Sequence, residues 1–326
     1  MRIQNAFVAF CCCLLVRPGL CDQIDFAKYL SRARSSCGDI SSKMSHLKRM
    51  AGVNTAITGV GTVTGGVALG VGLAKKSVDA KVSQIESTLQ AELDELDKLA
   101  AQQTHVDIIP DYEEIFGFAA TAPDKNNINS QIEQDKAELE KLNKKSKTLG
   151  HIRTGTLAGT TVLDTTGAVI SATNRIDEDL QLKIDSCVSV IKELSYTYKS
   201  AMLNNPQPAV NSDKIENIIR TCGEWEYINL SKINKRATGA TISGAAGAAM
   251  ALVGTVTSAS ANSDGVRNDN SEQGKNKEKN LNSASNVLSA GATISSGAAT
   301  VFNATQISAI KKALDVATKC EEALAQ

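Results

Sequence analysis

Aromatic side chains are scarce in this chain: one Trp, five Tyr and six Phe in 326 residues, 4% of the total. Such residues supply much of the area of ligand pockets, so a deep small-molecule site is not expected, and no cofactor or small-molecule substrate is assigned. Net charge is also lacking. Thirty-five Lys and Arg balance thirty-five Asp and Glu, which removes the basic footprint of a nucleic-acid-binding protein. Only three histidines occur, His46, His105 and His151, and none has a Cys, Ser or paired carboxylate at catalytic spacing. Hydrolase chemistry therefore lacks its parts; no catalytic residue is assigned and the chain is expected not to be an enzyme. No run alternates apolar and polar residues over strand length, which removes the signature of a sheet and leaves an all-α fold.

Glycine is abundant, but not as a phosphate loop. Gly59-Val60-Gly61-Thr62-Val63-Thr64-Gly65 has the glycines of a dinucleotide turn without a preceding strand, and the pattern continues at helical period through Gly66, Gly70 and Gly72. No Gly-Lys-Ser or Gly-Lys-Thr loop is present. The acidic run Glu92 to Asp97 reads as a solvated helix face, not a metal cluster.

The first residues carry one Arg, an uninterrupted apolar run from Ala6 to Val16, and small residues ahead of Asp22. Residues 1–21 read as a cleaved export signal, the run being too short to span a bilayer. Four of the eight cysteines lie within it, leaving Cys37, Cys187, Cys222 and Cys320. In an exported chain this even number favours two disulfides. No two of the four are close in sequence and none has a nearby His, so no metal site is assigned.

Apolar residues step by three and four through Val78, Val82, Ile85, Leu89, Leu93, Leu96 and Leu99, and again from Ile132 to Leu149. Both segments predict coiled-coil helices. Four other stretches, 51–74, 154–174, 237–261 and 281–310, are nearly free of charge and rich in Gly, Ala, Ser, Thr and Val. Their similar order, with the triplets Cys37-Gly38-Asp39 and Cys222-Gly223-Glu224 upstream, indicates an internal duplication.

In an antiparallel hairpin, paired positions have a constant sum. The small-residue stretches near 62 and 164, the heptads 78–99 and 128–149, and Cys37 with Cys187 all share a midpoint near 113, at Pro110 to Glu114. The stretches near 249 and 295, and Cys222 with Cys320, share a midpoint near 271, inside the polar run 262–280. The expected architecture is two long antiparallel helical hairpins. Residues 22–205 form the longer, with a coiled-coil extension and a turn at about 105–128; residues 206–326 form the shorter, with 262–280 as a flexible loop. Each is clipped by a disulfide, Cys37 to Cys187 and Cys222 to Cys320.

Gly61 and Gly65, Gly66 and Gly70, and Gly155 and Gly159 are each four apart, so each pair shares a helix face and predicts close helix packing. Asp164, within the second stretch, is expected to face solvent or cap a helix. Trp225 and Tyr227 are expected to pack the base of the second hairpin. In the first turn, Ile109, Tyr112, Ile115, Phe116 and Phe118 either cover the hairpin end or form a contact tip for a protein partner or a membrane.

The leading expectation is an exported, non-enzymatic interaction or structural protein, periplasmic, secreted or of the cell envelope, with a protein partner or self-association. The alternative is a membrane-inserting protein, pore-forming or anchoring, built on the glycine-rich helices. Their spacing does not decide between the two, because close helix packing occurs in water and in lipid alike.

Overall fold

A computed structural model describes residues 26–106, 125–204, 212–267, 269 and 271–326. The expected signal segment and the contact tip Ile109, Tyr112, Ile115, Phe116 and Phe118 lie outside these residues. The chain is all-α, with no strand among the described residues. The helices are α1 Phe26–Cys37, α2 Ile40–Val106, α3 Lys125–Thr173, α4 Glu178–Asn204, α5 Ser212–Gly223, α6 Leu230–Ala261, the single turn α7 Asp264–Arg267, and α8 Glu272–Ala325; a 3-10 turn, Glu224–Tyr227, follows α5.

Three of these helices start at a side-chain cap. Asp177 Oδ1 accepts the N–H of Leu180 at 2.8 Å before α4, Asn229 Oδ1 that of Lys232 at 3.0 Å before α6, and Ser271 Oγ that of Gly274 at 3.0 Å before α8. The run 262–280 is thus only partly a loop. Its Lys, Glu and Gln residues are good helix formers, and α8 starts at Glu272 once Ser271 caps it. Between α1 and α2, Asp39 adopts a left-handed conformation (φ 64°), which a short polar side chain tolerates. A β-carbon at Gly38 would lie 2.8 Å from the Arg34 carbonyl oxygen, so glycine is needed there.

The described chain divides into two compact units, each drawing on both hairpins. The first comprises residues up to Met50, Asn174–Lys235 and Thr305–Gln326. Its core is conventional: Ile40, Met44, Ile184, Leu194, Ile215, Ile218, Ile233 and Ile310 are buried, each contributing roughly 1.5–3 kcal/mol by leaving water. Trp225 joins that core, whereas Tyr227 is 85% exposed and does not; the 3-10 turn carries the two residues on different faces. Cys37 is bonded to Cys187 and Cys222 to Cys320, and the sulfurs of Cys37, Cys187 and Cys320 lie within 4.8 Å of one another. The two bridges are therefore neighbours inside one apolar core.

The second unit, Ala51–Thr173 with Arg236–Ala304, contains the long parts of α2, α3, α6 and α8. Buried positions alternate by three and four: 51, 54, 58, 61, 65, 68, 72, 75 and 78 on α2; 146, 150, 153, 157, 160, 164, 167 and 171 on α3; 237, 240, 244, 247, 251, 254, 258 and 261 on α6; 285, 289, 292, 296, 299 and 303 on α8. Such spacing keeps one stripe of each helix against its neighbours along its whole length. The pairing is antiparallel within each hairpin: Thr64 meets Thr160, and Ser285 Oγ donates to the Gly254 carbonyl. Contacts between Thr62 and Thr300 and between Thr154 and Ser258 close the four helices into a bundle.

Candidate functional site: the polar interior of the helical bundle

The stripe facing the bundle interior is made of small and polar residues. Asn54, Thr58, Thr160, Asp164, Ser171, Ser285, Ser289, Ser296 and Asn303 are all buried, and the apolar residues among them are mostly alanines, with Ala68, Leu157, Ala251 and Ala292 forming one cluster and Met250 packed alongside. The stripe facing outward is the reverse. Val60, Val63, Val162, Val169, Ile242, Val256, Val287, Ile294 and Val301 are each at least half exposed. A bundle in water puts its β-branched and aliphatic residues inside. This unit is inverted relative to the first, which lies in the same chain and follows the ordinary rule.

The interior is organised in polar layers. In one, the Asn54 amide donates to Ser171 Oγ at 2.5 Å and to Asn303 Oδ1 at 3.1 Å, and the Asn303 amide reaches Thr58 Oγ1 at 3.4 Å. Many hydroxyls also donate to the carbonyl one turn earlier, as Thr58 does to Asn54 and Ser289 to Ser285, which satisfies a buried hydroxyl without a second helix. At one end, Arg153 is buried and donates to Ser289 Oγ at 3.3 Å and the Asn282 carbonyl at 3.5 Å, and its Nε has no partner. Lys75, equally buried, lies 2.7 Å from Asp79 and 3.3 Å from Glu278, and Ser146 donates to the other Asp79 oxygen at 2.6 Å.

Asp164 lies in this interior, fully buried, and neither faces solvent nor caps a helix end. Its Oδ2 is 2.5 Å from Ser296 Oγ, while Oδ1 has no hydrogen-bond partner. Glycines make the space for it: a β-carbon at Gly61 would lie 2.7 Å from Oδ1 and one at Gly247 would lie 2.5 Å from Oδ2. Sequence periodicity put position 164 among charge-free neighbours but could not say which face of α3 turns inward. The heptad step links it to Leu157, Thr160 and Ser171, which share its face without saying where that face points.

The glycine pairs divide. Gly61 and Gly65 are buried, Gly65 lying so that a β-carbon would be 2.8 Å from Thr293 Oγ1. Around Gly66, Gly70, Gly155 and Gly159 nothing lies within 4 Å of where a β-carbon would be, so these four do not mediate helix packing. A spacing of four selects a shared face, not an inward one. Besides Gly61 and Gly65, close approach is provided by glycines outside those pairs, among them Gly72, Gly167, Gly244, Gly247, Gly254 and Gly291.

His46 and His151 are exposed on α2 and α3, separate from Asp164, and the His105 side chain lies outside the described residues. Two open surface depressions in the first unit are lined by residues that include Lys192, Tyr196, Arg220, Glu226 and Tyr227, with Lys192 paired to Glu226 at 3.0 Å. No protein-family model, no curated protein and no solved structure matches the chain.

Proposed function

We propose that the second unit is a membrane-inserted four-helix bundle, carried by an exported, non-enzymatic protein whose first unit is locked by two disulfides. The inverted burial pattern carries this reading. In a bilayer the hydrophobic effect no longer drives helices together, so interiors use small residues and interhelical hydrogen bonds while aliphatic side chains face lipid. The second unit has that distribution on all four helices.

Dimensions agree. No charged side chain occurs in 51–74 of α2, 237–261 of α6 or 281–310 of α8, and in 154–174 of α3 only the buried Asp164 does. At 1.5 Å per residue each stretch is on the order of 30 Å or more, the thickness of a bilayer's hydrocarbon core. Two runs, Phe26–Leu99 and Ser212–Ala261, are long and apolar enough to cross a membrane, with best windows of mean hydropathy 1.6 and 1.4. Only 28% and 33% of those windows is buried, unlike the core helix of a water-soluble protein. The neighbouring disulfides fit an oxidising compartment, and hence export.

The expected result is that the mature protein resists alkaline carbonate extraction, is released by detergent, and floats with phosphatidylcholine liposomes after reconstitution. Release by the alkaline wash as a detergent-free species would overturn the reading. If that species were a stable oligomer, the outward apolar face would instead serve self-association.

A further inference from the structure

We infer that Asp164 is a proton-binding site: the bundle holds it as a neutral carboxylic acid at a pH where free aspartates are ionised, and assembly of the four helices takes up one proton. The hydrogen count around Ser296 leads there. Ser296 Oγ lies 2.9 Å from the Ala292 carbonyl oxygen and 2.5 Å from Asp164 Oδ2. A hydroxyl has one hydrogen and can donate it once. A carbonyl has none to offer, so satisfying both contacts requires the second hydrogen to come from the carboxyl. The Asp164 O–H donates to Ser296 Oγ, and the Ser296 O–H donates to Ala292. A contact of 2.5 Å between two oxygens is what such a strong donor gives.

The unpartnered Oδ1 points the same way. An ionised carboxylate spreads its charge over both oxygens, and leaving one of them buried without a donor is far more costly than leaving a neutral carbonyl oxygen so. Among the described residues no cation pairs with Asp164. The elements packed against Asp164 present Gly61 from α2, Gly244 and Gly247 from α6, and Ser296 from α8, and their stretches 51–74, 237–261 and 281–310 contain no titratable side chain. Along the chain the nearest charged residues are Arg153, about 16 Å away along the α3 axis, and Arg175, beyond the end of α3. Because the hydrogen count holds in water as in lipid, the proton site stands independently of the bilayer reading.

Infrared spectroscopy of the purified full chain, in detergent or in buffer as its solubility dictates, tests the site. At pH 6 a protonated-carboxyl C=O band is expected in the wild type and absent from Asp164→Asn, whose amide supplies the same donor to Ser296. The absence of that band from the wild type, or its survival in Asp164→Asn, would overturn the assignment. Thermal midpoints supply a second readout. The wild type is expected to lose stability relative to Asp164→Asn as pH rises above about 5, where a free aspartate has shed its proton, by up to tenfold in folded-to-unfolded ratio per pH unit. A constant difference between the two across that range would also overturn it. Should Asp164→Asn not fold, the wild-type band, persisting well above the pH at which free aspartates ionise, decides alone.

Discussion

Gly61 on α2 leaves no room for a side chain because Asp164 on α3 occupies it: a β-carbon at 61 would sit 2.7 Å from Asp164 Oδ1. The carboxyl cannot retreat easily, since its other oxygen is hydrogen-bonded to Ser296 Oγ at 2.5 Å. Gly61→Ala is therefore expected to destabilise the bundle by on the order of 1–3 kcal/mol through overpacking, despite Ala's better helix propensity. Gly159→Ala, in open space, is expected to be neutral or to stabilise by up to about 1 kcal/mol. Denaturant midpoints of the two variants check the opposite signs; a shared sign would mean the glycine contacts around Asp164 are not as described.

Much of this architecture was legible from positions alone. The constant-sum rule that joins Cys37 to Cys187 also pairs Thr64 with Thr160 and Gly61 with Asp164, and in the other hairpin Cys222 with Cys320 and Gly254 with Ser285. Antiparallel register is a one-dimensional property, so sequence carries it. Packing of one hairpin against the other is not. Ser296 against Asp164, Thr293 against Gly65 and Ala168 against Gly244 depend on rotation about each helix axis, and a heptad pattern of small residues is the same whether that stripe faces in or out. Asp164 was misplaced for this reason, and so were Gly66, Gly70, Gly155 and Gly159.

The nearness of the two disulfides has a chemical consequence. Cys320 lies within 4.8 Å of Cys37 and Cys187 at the sulfurs, so a thiol freed at 320 is placed to attack the other bridge. Cys222→Ala is expected to yield a mixture in which Cys320 is joined to Cys37 or Cys187. The double variant Cys222→Ala/Cys320→Ala should keep Cys37–Cys187 alone, losing about 4–5 kcal/mol of stability in the chain-entropy account of a bridge closing a loop near 100 residues. Non-reducing peptide mapping distinguishes the cases; a single intact Cys37–Cys187 product from the single variant would show that the sulfurs do not exchange.

Lys75 is buried between Asp79 and Glu278, which are themselves 31% and 25% exposed at the side chain. Lys75→Met fills similar volume but leaves two carboxylates facing each other with no cation between. Removing one member of a buried ionic group costs roughly 3–5 kcal/mol; the partial exposure of the acids lowers the expected loss to about 2 kcal/mol. Adding Glu278→Gln to Lys75→Met should recover part of it, and a double-mutant cycle on thermal midpoints measures how much. Additive effects would mean the three groups do not act together.

Lysine scanning of the outward face separates lipid from water most sharply. Val63 on α2 and Val162 on α3 are 66% and 65% exposed and lie near the middle of their charge-free stretches, whereas Leu93, at 36%, lies well beyond the end of its own. Facing water, an exposed Val→Lys exchange changes stability by no more than about 0.5 kcal/mol, so all three sites should tolerate it. Facing lipid, a lysine near the bilayer centre costs about 2.5–3.5 kcal/mol, on the order of a hundredfold in partition, while position 93 should still be indifferent. The expected outcome is that Val63→Lys and Val162→Lys reduce flotation with liposomes and lower the unfolding midpoint in micelles, and Leu93→Lys does neither. Equal tolerance at all three positions would remove the bilayer from the account and leave the outward apolar face to a protein partner.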